Sequence, residues 1–172
     1  MLKGENLLSQ ATLSPQRMAG FGRDNGLLLS LIVVSFDQSA KYFALRFLTL
    51  YQPFPLTSFF NLTLAHNTGA AFILFSDTQH GVLFLSAFAI AMSIFILIWL
   101  LRLPQSNTGL RLALSLILGG ALGNLGDRIH YGYVIDFIDL YIDQWHWPAF
   151  NIADAAICVG ISILAFTCIK KE

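Results

Sequence analysis

Four long apolar stretches decide what this chain of 172 residues can become. They run over about 26–47, 82–101, 110–125 and 152–169. A helix needs about 20 predominantly apolar residues to cross the hydrocarbon core of a bilayer. Only 12% of the residues are charged, against about 25% in an ordinary soluble domain. The chain therefore reads as a membrane protein, and its length suits one compact bundle. No basic patch with interleaved aromatics is present, so nucleic acid is not an expected partner.

The fold class expected is an all-α membrane protein with four transmembrane helices. Residues 1–25 read as a polar cytoplasmic tail carrying Lys3, Arg17 and Arg23. Residues 26–172 read as a single four-span domain. The first apolar run has no small-residue cleavage pattern after it, so it is expected to remain as a span. Basic residues flank the spans at Arg23, at Arg102 and Arg111, and at Lys170 and Lys171. With four spans all these places share one side, and the positive-inside rule makes that side the cytoplasm. Segments 48–81 and 126–151 then lie outside. In the first of them Pro53 and Pro55 bar a helix. Residues 59–65 alternate in part like a strand, and Asn67-Thr68-Gly69 signals a turn. A small extracytoplasmic β-sheet element and a short interfacial helix are expected there.

The stretch from Gly123 to Asp154 holds Asp127, Asp136, Asp139, Asp143 and Asp154, five of the chain's ten acidic residues. Asp136 interrupts the apolar run Tyr133-Val134-Ile135-Asp136-Phe137-Ile138, and Asp154 opens the last span. Ionisable groups at a membrane segment mark function by default. Two carboxylates brought together cannot both ionise easily and titrate as a unit. Such a pair can take a proton from an attacking water and return one to a leaving amine. Asp154 can equally be a helix N-cap. Asn124 and Asn151 lie beside the acidic positions, where an amide can donate without adding charge. Arg128 can offer a bidentate fork to a substrate carbonyl or pair with Asp127. The bland readings make Asp127 and Arg128 a helix-end pair, and Asp139 and Asp143 solvated loop charges.

Asp37 and Lys41, spaced i, i+4 in the first span, share a helical face. They form an internal ion pair, or Lys41 is a general base, or Lys41 and Ser39 form a nucleophilic dyad. The ion pair is the stronger reading, because a paired lysine stays protonated. Asn67 is a turn residue or a polar hand into a site. Gly119 and Gly123 form a GxxxG pair that lets helices approach closely. His66, His80, His130 and His146 are scattered without metal-ligand spacing, so neither a metal nor another cofactor is expected. Trp145, Trp147, Tyr131, Tyr133 and Tyr141 suit an aromatic belt at the outer interface. Cys158 and Cys168 are ten residues apart on one helix, roughly 15 Å. That is too far for a disulfide, and both read as small apolar fillers.

Five pieces carry a resemblance that covers nearly all the chain beyond its tail. They are Asp37-Gln-Ser-Ala-Lys41, Asn67-Thr-Gly-Ala-Ala-Phe72, Gly123-Asn-Leu-Gly-Asp-Arg128, Val134-Ile-Asp-Phe-Ile138 and Phe150-Asn-Ile-Ala-Asp154. In this order and on a four-span layout, the chain resembles lipoprotein signal peptidase (signal peptidase II), an aspartyl peptidase family of the bacterial inner membrane. The resemblance implies that Asp136 and Asp154 form a catalytic dyad. It implies that Asn67, Asn124, Arg128 and Asn151 line a substrate site, with Asp37, Lys41 and Asp127 as structural supports. The implied substrate is a prolipoprotein bearing a diacylglyceryl cysteine, cut just before that cysteine. Membrane lipids are the other expected partners, and a monomer is expected. Loop 139–149 is the candidate mobile piece over the site. Two other classes compete. A small transporter would use the carboxylates as an ion site and show an inverted repeat, which the halves do not display. A structural membrane partner would be indifferent to changes at the aspartates.

Overall fold

A computed structural model describes residues 22–69, 79–104 and 106–169. Along the chain run α1 (Arg23–Phe47), β1 (Pro53–Pro55), β2 (Phe60–Asn67), α2 (Gln79–Arg102), α3 (Thr108–Tyr131), β3 (Val134–Ile142), β4 (Trp145–His146) and α4 (Ile152–Ile169). All four helices are long and apolar enough to cross a membrane. The four strands form one antiparallel sheet in the order β1-β2-β3-β4. Four spans with a small sheet are thus observed as expected. The tail up to residue 21 lies outside the described residues, as do residues 70–78, over which the interfacial helix would in part fall.

The bundle reverses the pattern of a soluble protein, because lipid rather than water surrounds it. On α1 the buried stripe is Gly26, Ser30, Val33, Asp37, Lys41 and Ala44, while Leu31, Ile32, Phe36, Phe43 and Phe47 face outward. Small and polar residues therefore hold the inside. α3 is the central post, packed against each of the other helices. Its glycines permit this. A Cβ at Gly119 would lie 2.7 Å from Val33 Cβ on α1. At Gly120 it would overlap the Ala153 carbonyl oxygen on α4. At Gly123 it would lie 2.8 Å from Asp37 Oδ2. Cys158 and Cys168 are exposed on the outer surface of α4 rather than filling the interior.

Arg111, read above as a flanking charge, has no exposed surface. Its guanidinium donates to the carbonyls of Leu100, Leu103 and Pro104 at 3.4, 2.9 and 3.1 Å. Those carbonyls end α2, where a cation complements the helix dipole. α3 runs six residues beyond the expected end at Leu125. It stops at Gly132, whose φ of 79° is the left-handed conformation glycine adopts freely. Arg128 and His130 in the last turn suit the negative end of the helix.

The sheet sits at the end of the bundle where α1 and α3 finish and α2 and α4 begin. Ala44, Leu64, Ile135 and Phe137 form a buried cluster that docks it on the end of α1, with Ile152 of α4 packed alongside. The stretch read as a loop from 126 to 151 is mostly regular: the last turn of α3, then β3 and β4. Within loop 139–149, residues up to Ile142 belong to β3. Only a tight turn at Asp143, with φ of 54°, separates β3 from β4.

Candidate active site

Polar side chains converge where the sheet meets α1, α3 and the start of α4. Asp136 projects from β3 and is 2% exposed. Asn151 directly precedes α4 and is fully buried. Its Nδ2 donates to Asp136 Oδ1 at 2.7 Å, and its Oδ1 accepts the Asp154 backbone N–H at 2.9 Å. Asp154 returns the favour: its Oδ2 accepts the Asn151 N–H at 3.2 Å. This is a reciprocal capping box, with Asn151 as the cap and Asp154 as the third helical residue. Asp154 therefore sits one turn inside the helix, not at the N-cap position considered above.

Asn124 of α3 completes the frame. Its Nδ2 donates to Asp154 Oδ1 at 2.8 Å. Its Oδ1 accepts from Asn151 Nδ2 at 3.1 Å and from Lys41 Nζ at 3.0 Å. Asn67, ending β2, plays both parts envisaged for it. Its Nδ2 reaches Asp136 Oδ2 at 3.0 Å, and its Oδ1 accepts the Gly69 N–H at 3.0 Å, forming an Asx turn. Arg128 lies alongside, donating to the carbonyls of Asn124 at 3.4 Å and Gly69 at 3.3 Å. Its buried Nε has no hydrogen-bond partner among the described residues.

Beneath this layer lies an ionic one. Lys41 Nζ, 1% exposed, contacts Asp37 Oδ2 at 2.8 Å and Asp127 Oδ2 at 2.7 Å. The i, i+4 ion pair is present and has a third member. Asp127 is thus paired with Lys41 rather than with Arg128, correcting the helix-end reading. Successive helical residues point about 100° apart, so chain neighbours on α3 face different partners. Asp127 Oδ2 also accepts the Ile135 N–H at 3.1 Å, and Asp37 Oδ1 accepts the Ala153 N–H at 2.9 Å. The lysine is fully engaged, and Ser39 instead donates to the Ser35 carbonyl, so no Ser39–Lys41 nucleophilic pair forms.

Burial pushes Asp136 up to about 7, and the nearby Asp154 carboxylate adds to the rise. Hydrogen bonds from Asn67 and Asn151, and the Lys41 charge, oppose it.

Two features escaped sequence reasoning. Gln38 donates to Asp127 Oδ1 at 2.8 Å and to the Gly123 carbonyl at 3.1 Å, tying α1 to α3. A glutamine beside Asp37 in an apolar span was the available signal. Asp139, read as a solvated loop charge, is 6% exposed and held by Asn61, Thr63 and His146. Asp143 is exposed, as expected. All nine residues singled out above are therefore gathered: Asn67, Asn124, Arg128, Asp136, Asn151 and Asp154 in the upper layer, Asp37, Lys41 and Asp127 in the lower.

Fold and site together define a polytopic membrane protein built round two carboxylates in an amide frame. A family model described as signal peptidase (SPase) II, an aspartic peptidase family, matches residues 29–170. The chain belongs to that family and is a membrane peptidase. It is 48% identical over 140 residues to a lipoprotein signal peptidase of Coxiella burnetii (strain Dugway 5J108-111), covering 80% of this chain and 85% of that one. It is 44% identical over 161 residues to a lipoprotein signal peptidase of Pseudomonas fluorescens (strain Pf0-1), covering 92% and 95%. Among solved structures it resembles a bacterial membrane enzyme determined by the in meso method at 2.3 Å, with a TM-score of 0.79 and 31% identity. That match covers 88% of this chain and 92% of the other.

Proposed function

We propose that this protein removes signal peptides from diacylglyceryl-modified prolipoproteins, cutting just before the lipidated cysteine, with Asp136 and Asp154 as its catalytic dyad. The observation that carries the reading is Asn151, whose one amide binds Asp136 and caps α4 at Asp154. Such a bridge holds two carboxylates from different elements in fixed relation, as water-activating pairs require.

The two members suit different roles. Asp154 lies in the first turn of α4 and accepts hydrogen bonds from Asn124 and the Asn151 N–H, which suits the proton-accepting role. Asp136, buried and pushed up to about 7, suits the protonated role. The Asp136 O–H hydrogen-bonds the scissile carbonyl oxygen. Asp154 accepts a proton as a water oxygen attacks the carbonyl carbon, and the Asp136 proton passes to the developing oxyanion. As the tetrahedral intermediate collapses, the C–N bond breaks and Asp154 delivers its proton to the leaving amine. The hydroxyl proton returns to Asp136, leaving a carboxylic acid on the signal peptide and a free amine on the lipidated cysteine. No covalent enzyme intermediate is involved. Asn67, Asn124 and Asn151 hold the carboxylates and line the substrate site. Arg128, whose Nε has no partner among the described residues, offers a donor to the substrate backbone.

The protein works as a monomer in the bacterial inner membrane, both termini cytoplasmic and the sheet outside. The residues that precede α1 are assigned to the cytoplasm, and the chain from Arg23 onward to a single domain. The basic residues at Arg23, Arg102 and Arg111 support this orientation, lying at helix ends away from the sheet. The site is thereby set at the outer surface of the bilayer, where a diacylglyceryl chain can remain in lipid.

The deciding experiment is cleavage of a diacylglyceryl-modified prolipoprotein by the purified full chain in detergent with a chelator present. Wild type should cut and Asp154→Asn should not. Equal cleavage by both proteins, or none by a well-folded wild type, would overturn the reading.

A further inference from the structure

We infer that Asp139, outside the carboxylate frame, is a positioning residue: it pins a β-bulge that turns Asn67 towards Asp136. The inference rests on the proposed role of Asp136 and starts from strand parity. On β3, Asp136 and Asp139 are three residues apart, so a regular strand points them to opposite faces. Their partners on β2 are Asn67 and Asn61, six residues apart, which a regular strand would point to the same face. The two separations conflict, and both contacts exist: Asn67 Nδ2 to Asp136 Oδ2 and Asn61 Nδ2 to Asp139 Oδ2, each at 3.0 Å.

An irregularity in the pairing resolves the conflict. Leu62 pairs with Ile138 and Ala65 with Asp136, so β2 advances three residues while β3 advances two. One extra residue on β2 reverses the parity beyond it. Asn61 then shares a face with Asp139, and Asn67 with Asp136. Without the bulge, or with the strands slipped by one, Asn67 would point away from the dyad.

Asp139 fastens the near side of this bulge. One carboxylate oxygen accepts from Asn61 Nδ2 and from Thr63 Oγ1 at 3.4 Å, gripping β2 directly before the irregularity. The other meets His146 Nδ1 at 2.8 Å, and the His146 ring stacks on Tyr141 with centroids 5.1 Å apart. β2, β3 and β4 are thus tied through one side chain. On the far edge, β3 bridges to Phe150 next to Asn151, so the same strand register also seats the amide that spans the dyad.

The test is an infrared titration of the purified full chain in detergent. The Asp136 carboxyl band is assigned as the one lost in Asp136→Asn. Asp139→Ala should move the Asp136 midpoint by about one pH unit further up, because the Asn67 hydrogen bond that opposes the rise is lost. In cleavage assays it should lower kcat about tenfold or more with KM within about twofold, the signature of a displaced reacting group. Asp139→Asn keeps an acceptor for Asn61 and a donor for His146, and should restore both readouts. Asn61→Ala removes the clasp from the β2 side and should shift the midpoint as Asp139→Ala does. An Asp136 midpoint unmoved in both alanine variants would overturn the inference. So would unfolding of both, which would make Asp139 a structural support. Because the titration needs no substrate, it separates this inference from the peptidase reading, whose own failure would be an inert wild type.

Discussion

At the scale of single residues, the centre depends on amides that leave no carboxylate unaccompanied. Asp136 and Asp154 each accept hydrogen bonds on both oxygens, from Asn67 and Asn151 and from Asn124 and the Asn151 backbone. Changing either aspartate to asparagine preserves shape but removes the proton traffic. We expect turnover to fall by about 10³-fold or more for each, with the protein still inserted and folded. Retention of more than a tenth of the activity in either variant would contradict the dyad. The raised value of Asp136 gives two further signs. With one proton shared between the pair, kcat should decline as pH rises through about 7. In Asp154→Asn, with the neighbouring charge gone, the Asp136 midpoint should fall. For stability, the folded state binds the Asp136 proton more tightly than the unfolded chain, whose value is near 3.8. That contribution is fully present below the lower value and is lost as pH rises to about 7, on the order of a few kcal/mol. Melting curves in detergent should show this slope in wild type and a flatter one in Asp136→Asn. Lys41 is the other decisive residue. Lys41→Met leaves Asp37 and Asp127 buried without their cation, which should cost about 3–5 kcal/mol. A melting point within a degree or two of wild type would refute that accounting.

At the scale of elements, α3 sets the geometry, because its glycines let α1 and α4 approach it on adjacent faces. Gly120→Ala places a methyl against the Ala153 carbonyl, so α4 must move away, carrying Asp154 from Asn124. Activity should drop by about 10-fold or more, since displacements of about an ångström matter at a reacting centre. Gly126 has open space around its Cβ direction. Gly126→Ala should therefore leave turnover unchanged and raise stability by up to about 1 kcal/mol through helix propensity. Comparing the two variants separates close packing from helix formation. Element by element, the sequence was legible where periodicity and length speak plainly, as in the four spans and the strand near residues 59–65. It was opaque at β3. Its run Val134-Ile135-Asp136-Phe137-Ile138 is buried on both faces save for Ile138, so no in-and-out alternation marks it as a strand. The fate of Asp139 was hidden for a related reason. Its partner Asn61 lies 78 residues away, and only the bulge in β2 brings the two to one face.

At the scale of the whole molecule, the sheet lies at one end of the bundle and the α2–α3 connector at the other. With the sheet outside, as proposed, a cysteine placed at Asp143 should react with a membrane-impermeant thiol reagent in intact spheroplasts. One placed at Ser106 should react only after permeabilisation. The reverse pattern would invert the topology. The nine gathered residues were singled out by motif, but their layering was not. Only the folded chain separates the amide frame round Asp136 and Asp154 from the ion cluster of Asp37, Lys41 and Asp127 below it. One bond in that lower layer bears on how the protein comes into being. Asp37 of the first helix accepts the Ala153 N–H at the start of the last, across 116 residues of chain. A chain delivered only as far as its first three spans contains Asp37, Lys41, Asn124 and Asp127, but not Asp136, Asn151 or Asp154. On the proposed dyad, the nascent protein is therefore inert until α4 arrives, and the centre assembles only when the first and fourth helices meet.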